Sequence, residues 1–372
     1  RAYAFDAALS PESLVDGCVA SLDRYGFCVI DNVIPACRVE EVRGEVMAAR
    51  NLVTRNERAI LEAVAARREG RDAPPEDQLE LRTVRRVGHP PKSPNDIVWM
   101  PHYARYLASP GVTAVARRVL DDHLRIAQLH PRMVPSLVEG KAAAGMDDAT
   151  RQARAQGRGW HTDWPHDLSA YGMGDPLLNV GCMRQPFPDV AMCLVMIWYL
   201  TDVDAESGGT WVVPGSHRDP RNPRGPEDGI TETAPIPGEM QVSAKAGSVY
   251  IQDSRTWHAS PHHNFSSRDR VAVVNRWCPW WLSVDDFAPE EIYGIGQTGR
   301  SMSHAEYRAL PAALQPLLRH LCPEERDVLQ QPVLDRAAAA DERSTRGYRL
   351  LRENPETLTG ANAHIRVPLV DR

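Results

Sequence analysis

The second half of the sequence contains a series of short apolar segments separated by Gly- and Pro-rich turns. The segments are 191–200 (AMCLVMIWYL), 209–216 (GTWVVPGS), 246–260 (AGSVYIQDSRTWHAS) and 270–282 (RVAVVNRWCPWWL). Many short strands joined by such turns are typical of an antiparallel sandwich or barrel. We therefore predict a β core in this part of the chain.

Helical spacing flanks this predicted core on both sides. The predicted helices are 11–24, with Ser10 as its N-cap, 38–65, 106–121 and, after the core, 303–350. Two earlier strands are predicted at 27–34 and 124–134. The charged, Pro-rich residues 67–79 are predicted to form a solvated linker, and the Ala- and Gly-rich residues 139–159 a mobile loop.

The order of these elements predicts one α+β domain over residues 1–372. A mainly helical part (1–123) precedes the β core (124–282), and a helical extension (283–372) follows it. We find no internal repeat, and nothing in the composition requires two independent domains.

Composition argues against several functional classes. The 43 Lys and Arg residues against 49 Asp and Glu give a net charge of −6, which disfavours a nucleic-acid-binding protein. No apolar run reaches the roughly 18 residues that would span a bilayer, and residues 1–21 lack a signal-peptide pattern. The seven cysteines are odd in number and form no CxxC motif, which favours buried free thiols in a reducing cytoplasm.

The segment 159–167 (GWHTDWPHD) carries candidate metal ligands. Side chains at i and i+2 of a strand point to the same face, so His161 and Asp163 can reach one ion. A two-His, one-carboxylate site for Fe(II) needs a third ligand from elsewhere, and His258 is at the end of an apolar strand. The alternatives remain open: His262 and His263 compete as the third ligand, and His166 with Asp167 forms a rival pair.

Arg270 is a candidate for binding a carboxylate group close to such a metal site. A planar guanidinium suits bidentate binding of a carboxylate. A metal with open positions and an Arg beyond it would bind a 2-oxo acid at both ends. Arg268 has the same strand parity, so periodicity alone does not separate the two.

Taken together, these motifs resemble the phytanoyl-CoA dioxygenase family of Fe(II)- and 2-oxoglutarate-dependent oxygenases. The resemblance rests on YGFCVIDNVIP (25–35), WHTD (160–163), WYLTDVDAESGGT (198–210), WVVPGSHR (211–218) and GSVYIQDSRTWHASPHHNFSSRDRVAVVNRW (247–277). It covers most of residues 10–282. It implies a double-stranded β-helix, that is, a jelly-roll or cupin-like core with flanking helices at both ends.

The resemblance also implies roles for individual residues. His161, Asp163 and His258 match the catalytic iron ligands, and Arg270 matches the residue that binds the far carboxylate of 2-oxoglutarate. Residues implied to assist the co-substrate are Ser260, Trp198 and Gln128. His217, in the PGSHR turn, is implied to be structural. The two histidines at 262 and 263 depart from the family, because they add one residue between the distal ligand and the Arg.

The implied function is oxidation, most simply hydroxylation, of a C–H bond in a small-molecule metabolite. O₂ and 2-oxoglutarate would be consumed, and succinate and CO₂ released. Some relatives lack the carboxylate ligand and bind halide there, but Asp163 fills that position here. Two alternatives remain: a catalytically inactive small-molecule-binding jelly roll, and a cupin-like zinc isomerase or hydrolase.

The substrate pocket is expected to use segments that surround the metal motif. We predict its lining from residues 139–159, 169–189 and 278–282. Within them, Trp280 and Trp281 are candidates for an apolar wall, although ordinary packing would explain them equally well. Arg184 and Gln185 are candidates for contact with a polar group. The absence of a dense basic patch favours a small metabolite over an acyl-CoA, and the oligomeric state is left open.

Overall fold

A computed structural model describes most of the chain. It covers residues 1–71, 94–138, 146–163, 165–166, 183, 186–221, 223, 233–282, 302–322 and 324–325. The helices are α1 (Pro11–Tyr25), α2 (Ala36–Arg68), α3 (Pro101–Leu107), α4 (Pro110–Val119), α5 (Asp148–Gln156), α6 (His304–Ala309) and α7 (Gln315–Leu318). The strands are β1 (Ala4–Asp6), β2 (Phe27–Asp31), β3 (Leu124–Val134), β4 (Leu194–Tyr199), β5 (Trp211–Val212), β6 (Met240–Gln241), β7 (Val249–Asp253), β8 (His258–Ala259) and β9 (Arg270–Pro279).

The larger of the two sheets is mainly antiparallel. Its six strands are ordered β1-β2-β7-β4-β9-β3. Only the β1–β2 pair is parallel. The pairing of β3 with β9 is the longest, from Leu124 opposite Pro279 to Val134 opposite Arg270. This register places residues of an early strand directly beside those of the last one.

A smaller sheet faces the large one. Its strands are ordered β6-β5-β8, and an antiparallel bridge between His161 and His258 adds the metal-motif segment at its edge. Buried side chains pack together between the sheets, including Val212 of the small sheet, Val242 just after β6, and Tyr199 and Tyr250 of the large sheet. Two antiparallel sheets that share an interior, with helices outside, make this an α+β jelly-roll fold, as predicted.

Side-chain alternation divides each strand of the large sheet between two cores. On β4, Met196 and Trp198 belong to the outer core under the helices, whereas Tyr199 belongs to the core between the sheets. On β9, Val271 and Val273 face the outer core and Ala272 faces the interior. Even-numbered residues of β9 therefore point toward the inside of the jelly roll.

The helix α1 shows why the N-terminal part folds as it does. Ser10 caps its first turn by accepting a hydrogen bond from the Ser13 amide, and Pro11 occupies the first helical position. Gly26 ends it in the left-handed region at φ 83°. This glycine turns the chain directly into β2, so the predicted helix and the strand that follows it are both confirmed.

Two of the differences between the structure and the predicted elements concern helices. The segment 106–121 is not one helix, because Pro110 begins a new helix and separates α3 from α4. The segment predicted as a loop over 139–159 contains α5, whose N-terminus is capped by Asp147 through the Thr150 amide. Residues 139–145 lie outside the described residues, as do 72–79 of the predicted linker and most of 303–350.

In the part of the chain that the structure describes, no helix is both long and apolar enough to cross a membrane. The division of the chain into helical, core and extension parts within one domain stays a prediction.

Candidate metal centre

His161, Asp163 and His258 meet between the small sheet and the inner face of the large one. One ligand atom from each lies within 4.8 Å of the other two. Backbone hydrogen bonds of 3.0 Å in both directions join His161 to His258, and the Asp163 amide donates to the Ser254 carbonyl at 2.7 Å. Residues distant in sequence are thus held together by strand pairing and not by the side chains alone.

Both histidines present the same ring nitrogen to the centre. Nδ1 of His161 donates to the Gly159 carbonyl at 2.7 Å, and Nδ1 of His258 donates to the Thr256 carbonyl at 2.9 Å. A hydrogen bond from Nδ1 fixes the tautomer and leaves the Nε2 lone pair for a metal. The two rings are adjacent, with centroids 4.1 Å apart. The site is therefore oriented for coordination through Nε2 of each ring.

Asp163 supplies the carboxylate and is itself held by Arg276. Its Oδ2 lies 3.1 Å from His258 Nε2, and its Oδ1 accepts from Arg276 Nη2 at 2.5 Å. Burial raises the pKa of Asp163, but the charge of Arg276 and the interactions with His258 and His161 lower it more, so the pKa lies well below its usual value. The carboxylate is ionised at neutral pH, as a metal ligand must be.

This donor set fits a divalent metal ion. Two imidazoles and one carboxylate on one side of an ion are the arrangement that binds non-haem Fe(II) and leaves positions open for other ligands. Zinc accepts the same donors, so the ligands alone do not choose between these metals.

The other candidate ligands contact different groups, are exposed, or lie outside the described residues. Nε2 of His263 donates to the Ala205 carbonyl at 2.9 Å, and its ring stacks on Phe265. His166 is fully buried, with Nδ1 3.0 Å from the Ser254 hydroxyl. His262 is exposed, and Asp167 lies outside the described residues. Among the described residues, only the three predicted ligands form a cluster that could hold a metal ion.

His217 is in a structural position. Its Nε2 donates to the Asp23 carbonyl at 3.0 Å, which ties the PGSHR turn to the end of α1. Burial is the main cause that lowers the pKa of His217 below its usual value. The ring is therefore neutral at neutral pH and serves as a hydrogen-bond donor between two segments.

A narrow cavity next to the metal site contains the predicted co-substrate residues Arg270 and Ser260. Arg270 donates through Nη1 to the Gly208 carbonyl. Burial lowers the pKa of Arg270 to about 10, so the guanidinium stays charged at neutral pH. Arg268, the rival, is exposed and lies near Asp202, whose pKa it lowers. The structure thus places Arg270, and not Arg268, in this cavity.

Ser260 lines this cavity, and Gln128 lies on the inner face of the large sheet. The Ser260 hydroxyl accepts from Arg132 Nη1 at 3.4 Å. Gln128 is buried on β3, directly opposite Arg276 in the strand register, so both side chains point to the inner face. Their roles toward a co-substrate stay predictions.

The structure does not bring Trp198 to the cavity. Its ring packs edge-on against Tyr103 of α3, with centroids 5.7 Å apart, in the core outside the sheet. The reason is strand parity: Ile197 and Tyr199, the neighbours of Trp198 on β4, are the residues that line the cavity. The prediction that Trp198 lines the co-substrate pocket is therefore corrected to these two neighbours.

Two arginines that the sequence analysis did not single out belong to this site. Arg276 contacts Asp163, and Arg132 reaches Ser260. Arg276 lies six residues after Arg270 on β9, so strand alternation in the sequence already indicated that both side chains share one face. Arg132 carried no such signal, because its position depends on how β3 pairs with β9.

The residues predicted to line a substrate pocket are only partly described. Trp280 and Trp281 are 56% and 52% exposed and lie just beyond the end of β9. Arg184, Gln185 and most of 169–189 lie outside the described residues. The predicted roles of these residues stay predictions.

The fold and the donor set define a jelly-roll protein with a candidate two-His, one-carboxylate metal centre. The family model described as phytanoyl-CoA dioxygenase (PhyH) matches residues 22–272, about two thirds of the chain. This chain belongs to the phytanoyl-CoA dioxygenase family, which confirms the resemblance seen in its motifs.

Two curated relatives are mycobacterial. The uncharacterised proteins Rv1501 of Mycobacterium tuberculosis and Mb1539 of Mycobacterium bovis are each 27% identical over 177 residues, which is 46% of this chain and 50% of each relative. The chain therefore spans about half the length of the curated relatives it matches.

Solved structures with similar folds have low sequence identity. HygX from Streptomyces hygroscopicus with iron bound is 17% identical, with a TM-score of 0.43, covering 74% of this chain and 90% of that one. EctD from S. alaskensis with bound Fe is 19% identical, with a TM-score of 0.40, covering 70% and 75%. The epimerase SnoN with Fe³⁺, alpha ketoglutarate and nogalamycin RO is 18% identical, with a TM-score of 0.43, covering 78% and 94%.

Proposed function

We propose that this protein is a non-haem Fe(II)- and 2-oxoglutarate-dependent dioxygenase that hydroxylates a C–H bond of a small-molecule metabolite. The observation that carries the proposal is the cluster of His161, Asp163 and His258, whose ligand atoms lie within 4.8 Å of one another. Membership of the phytanoyl-CoA dioxygenase family supports it.

The metal ligands are His161 Nε2, His258 Nε2 and one oxygen of Asp163. When bound, Fe(II) activates O₂ and couples decarboxylation of 2-oxoglutarate to oxidation of the substrate. The backbone carbonyls that accept from both Nδ1 groups keep the rings oriented, and Arg276 keeps the carboxylate ionised. These contacts preorganise the site, so that little reorganisation is needed when a metal binds.

Arg270 is proposed to bind the far carboxylate of 2-oxoglutarate. It lies in the cavity beside Ser260, and its charge is surrounded by protein, where a charge-assisted hydrogen bond is strong. Ser260 is proposed to donate to the same carboxylate. Gln128, on the inner face opposite Arg276, is proposed to contact the end of the co-substrate nearer to the metal.

Hydroxylation is proposed because Asp163 occupies the ligand position that halogenating relatives leave open. A zinc isomerase or hydrolase is the second candidate, because zinc accepts the same three donors. Arg270 in the adjacent cavity favours the oxygenase, since an isomerase or hydrolase of this kind has no requirement for a second anchor for a dicarboxylic acid.

We also propose that the protein functions in the reducing cytoplasm. Cys18, Cys28 and Cys37 of the described cysteines are free thiols, and Cys18 and Cys28 are buried in apolar surroundings. Labelling of free thiols in freshly lysed cells tests this, and cysteines found in disulfides would contradict it.

Turnover of 2-oxoglutarate tests the enzymatic proposal. Protein purified without oxygen is supplied with Fe(II), ascorbate and 2-oxoglutarate, and succinate and CO₂ are followed with and without O₂. We expect succinate that requires iron and O₂ and that disappears in Asp163→Ala. The matched control Asp16→Ala changes an exposed carboxylate on α1 and should retain full turnover.

Binding measurements decide the case in which no succinate forms without the unknown substrate. The Fe(II)–2-oxoglutarate chelate has a visible charge-transfer absorption, and we expect the wild type to form it. If 2-oxoglutarate does not bind in the presence of Fe(II), the proposal is wrong. Tight zinc content together with an oxygen-independent activity would favour the second candidate.

A further inference from the structure

Three arginine side chains converge on the interior beside the proposed metal site. Arg270 and Arg276 lie on β9, and Arg132 lies on β3 directly opposite Ala272. Residues opposite each other in an antiparallel pair point to the same face, and Ala272 has the parity of both β9 arginines. The pairing of β3 with β9 therefore places three guanidinium groups on one face.

Only one of these arginines has a carboxylate partner in the part of the chain that the structure describes. Arg276 forms an ion pair with Asp163 at 2.5 Å. Arg270 donates instead to the carbonyl oxygen of Gly208, which carries no charge.

Arg132 likewise contacts only neutral acceptors among the described residues. Its Nε donates to Nε2 of His130 at 2.6 Å, and its Nη1 lies 3.4 Å from the Ser260 hydroxyl. His130 is buried two residues earlier on the same strand face, so it holds the guanidinium in one orientation. The terminal Nη edge is the edge that binds carboxylates bidentately, and among the described residues it has only the long contact to Ser260.

The charges of the proposed cofactors leave Arg132 without a counter-ion. 2-Oxoglutarate is a dianion: one carboxylate would bind the metal and the other Arg270. Fe(II) and the three arginines carry five positive charges, and Asp163 and 2-oxoglutarate carry three negative ones, so two positive charges remain. Arg276 contacts Asp163 and Arg270 would contact the far carboxylate, so Arg132 is the arginine in the described part of the site that has no carboxylate contact.

Arg132 is also placed where an incoming molecule can reach it. It is exposed to solvent, whereas Arg270 is partly buried. It nevertheless lies within electrostatic reach of Asp163 and Arg276: desolvation by the surrounding protein lowers the pKa of Arg132, the Asp163 carboxylate raises it and Arg276 lowers it. A group bound by Arg132 would therefore lie beside the metal and accessible from outside.

We propose that the substrate of this protein carries a carboxylate, and that Arg132, oriented by His130, binds it and positions the substrate beside the metal. The inference rests on the proposed function, because it assigns 2-oxoglutarate to Arg270 and the metal. It makes Arg132 a specificity-determining residue, with a role separate from binding of the co-substrate.

The first arm of the test measures 2-oxoglutarate binding. Anaerobic Fe(II) protein is titrated with 2-oxoglutarate, and the charge-transfer absorption is followed in the wild type, Arg132→Gln and Arg270→Gln. We expect Arg270→Gln to weaken binding by about tenfold or more, because a charge-assisted interaction is lost. Arg132→Gln should weaken it by a clearly smaller factor than Arg270→Gln, because Arg132 contacts Ser260 and is not the proposed anchor of the carboxylate.

The second arm uses matched acids and amides as substrate probes. Protein loaded with Ni(II) and saturated with 2-oxoglutarate is titrated calorimetrically with phenylacetate and phenylacetamide, hexanoate and hexanamide, and indole-3-acetate and indole-3-acetamide. We expect the wild type to bind at least one acid about tenfold more tightly than its amide. Arg132→Gln should lose this preference, and Arg117→Gln, which changes an exposed arginine on α4, should keep it.

Three results would contradict the inference. The inference is wrong if no acid is preferred over its amide, if the preference survives in Arg132→Gln because the acid binds the metal, or if Arg132→Gln weakens 2-oxoglutarate binding as much as Arg270→Gln does. If the wild type binds 2-oxoglutarate normally in these cases, the proposed function is not contradicted. If the wild type does not bind 2-oxoglutarate at all, the proposed function and the inference both fall.

Discussion

Among single residues, Asp163 shows how one carboxylate is prepared for a metal. One of its oxygens accepts from Arg276, and the other is near His258 Nε2. Arg276 thus occupies one oxygen and leaves the other for an ion, which favours monodentate coordination. The same contact keeps the buried carboxylate charged, since the neighbouring cations outweigh the effect of burial on its pKa.

Replacement of Arg276 tests this arrangement. Arg276→Gln should weaken divalent-metal binding by about 10–100-fold, because residues that orient a metal ligand contribute on this scale. Equilibrium dialysis against Ni(II) measures the change. Arg276→Lys, which retains the charge, should recover part of the affinity, and an unchanged affinity in Arg276→Gln would show that the contact does not position Asp163.

His166 makes stability depend on pH. Burial lowers its pKa to about 4, with smaller effects from Asp253, which raises it, and Arg255, which lowers it. The unfolded state, with a pKa near 6.5, binds the proton in the range where the folded state does not. The stability contributed by neutral His166 is therefore present above about pH 6.5 and is lost as the pH falls toward 4.

Urea unfolding of the metal-free protein at several pH values measures this effect. The wild type should lose up to about 3 kcal/mol between pH 6.5 and 4 through this group. His166→Gln should show a shallower slope in this window, and His123→Gln, which replaces an exposed histidine, should follow the wild type. Equal slopes in wild type and His166→Gln would contradict the prediction.

Among the secondary-structure elements, the junction of α1 and β2 depends on Gly26. Its φ of 83° is in the left-handed region, and a Cβ there would lie 2.5 Å from the Thr256 hydroxyl and 2.7 Å from Nδ1 of His217. The carbonyl of Gly26 also accepts from Thr256 Oγ1 at 3.0 Å. The junction therefore connects the helical part of the chain to the segment that carries His258.

Gly26→Ala should destabilise the fold by about 2 kcal/mol or more, because the left-handed conformation and the close contacts both oppose a side chain. Gly44→Ala is the matched control: Gly44 lies within α2, where a Cβ meets nothing within 4 Å. It should stabilise the protein by about 0.5–1 kcal/mol. Denaturant midpoints of both variants measure the difference, and a neutral Gly26→Ala would contradict it.

Strand alternation explains which residues reach the site and which do not. The inner face of β9 carries Arg270 and Arg276, while Val271 and Val273 pack under the helices. The same rule puts Trp198 outside and Tyr199 inside on β4. A shift of one residue in the register of either strand would exchange these faces.

In the molecule as a whole, the candidate metal site joins segments that are far apart in sequence. His258 is in the small sheet, His161 bridges to it at the edge, and Arg276 contacts Asp163 from the large sheet. A bound ion would therefore join His258 of the small sheet to the segment that carries His161 and Asp163, and Arg276 of the large sheet contacts that segment.

Metal binding should raise the thermal stability of the wild type. At a free Ni(II) concentration about 100 times its Kd, the gain is about 2.7 kcal/mol, because the ion binds the folded state. Thermal unfolding with Ni(II) and with EDTA measures the shift in Tm. Asp163→Ala should show little shift and Asp16→Ala the full shift, whereas equal shifts in both variants would place the ion elsewhere.

The sequence alone determined the class of fold, the family and the candidate metal ligands. His161 and Asp163 are two residues apart on an extended segment, and the PGSHR and WHAS motifs are local patterns that need no knowledge of strand order. Strand alternation along β9 also predicts that Arg276 shares a face with Arg270, although only Arg270 and Arg268 were considered as candidates. Local spacing is sufficient here because a strand alternates with a fixed period of two.

Only the tertiary structure decided the surroundings of those ligands. The contact of Arg276 with Asp163, the presence of Arg132 in the cavity and the outward direction of Trp198 all depend on which strands are neighbours and in what register. Strand order and register are set by packing between residues far apart in the chain, and a single sequence does not show these long-range contacts. The candidate ligands were therefore predictable, and the charges around them were not.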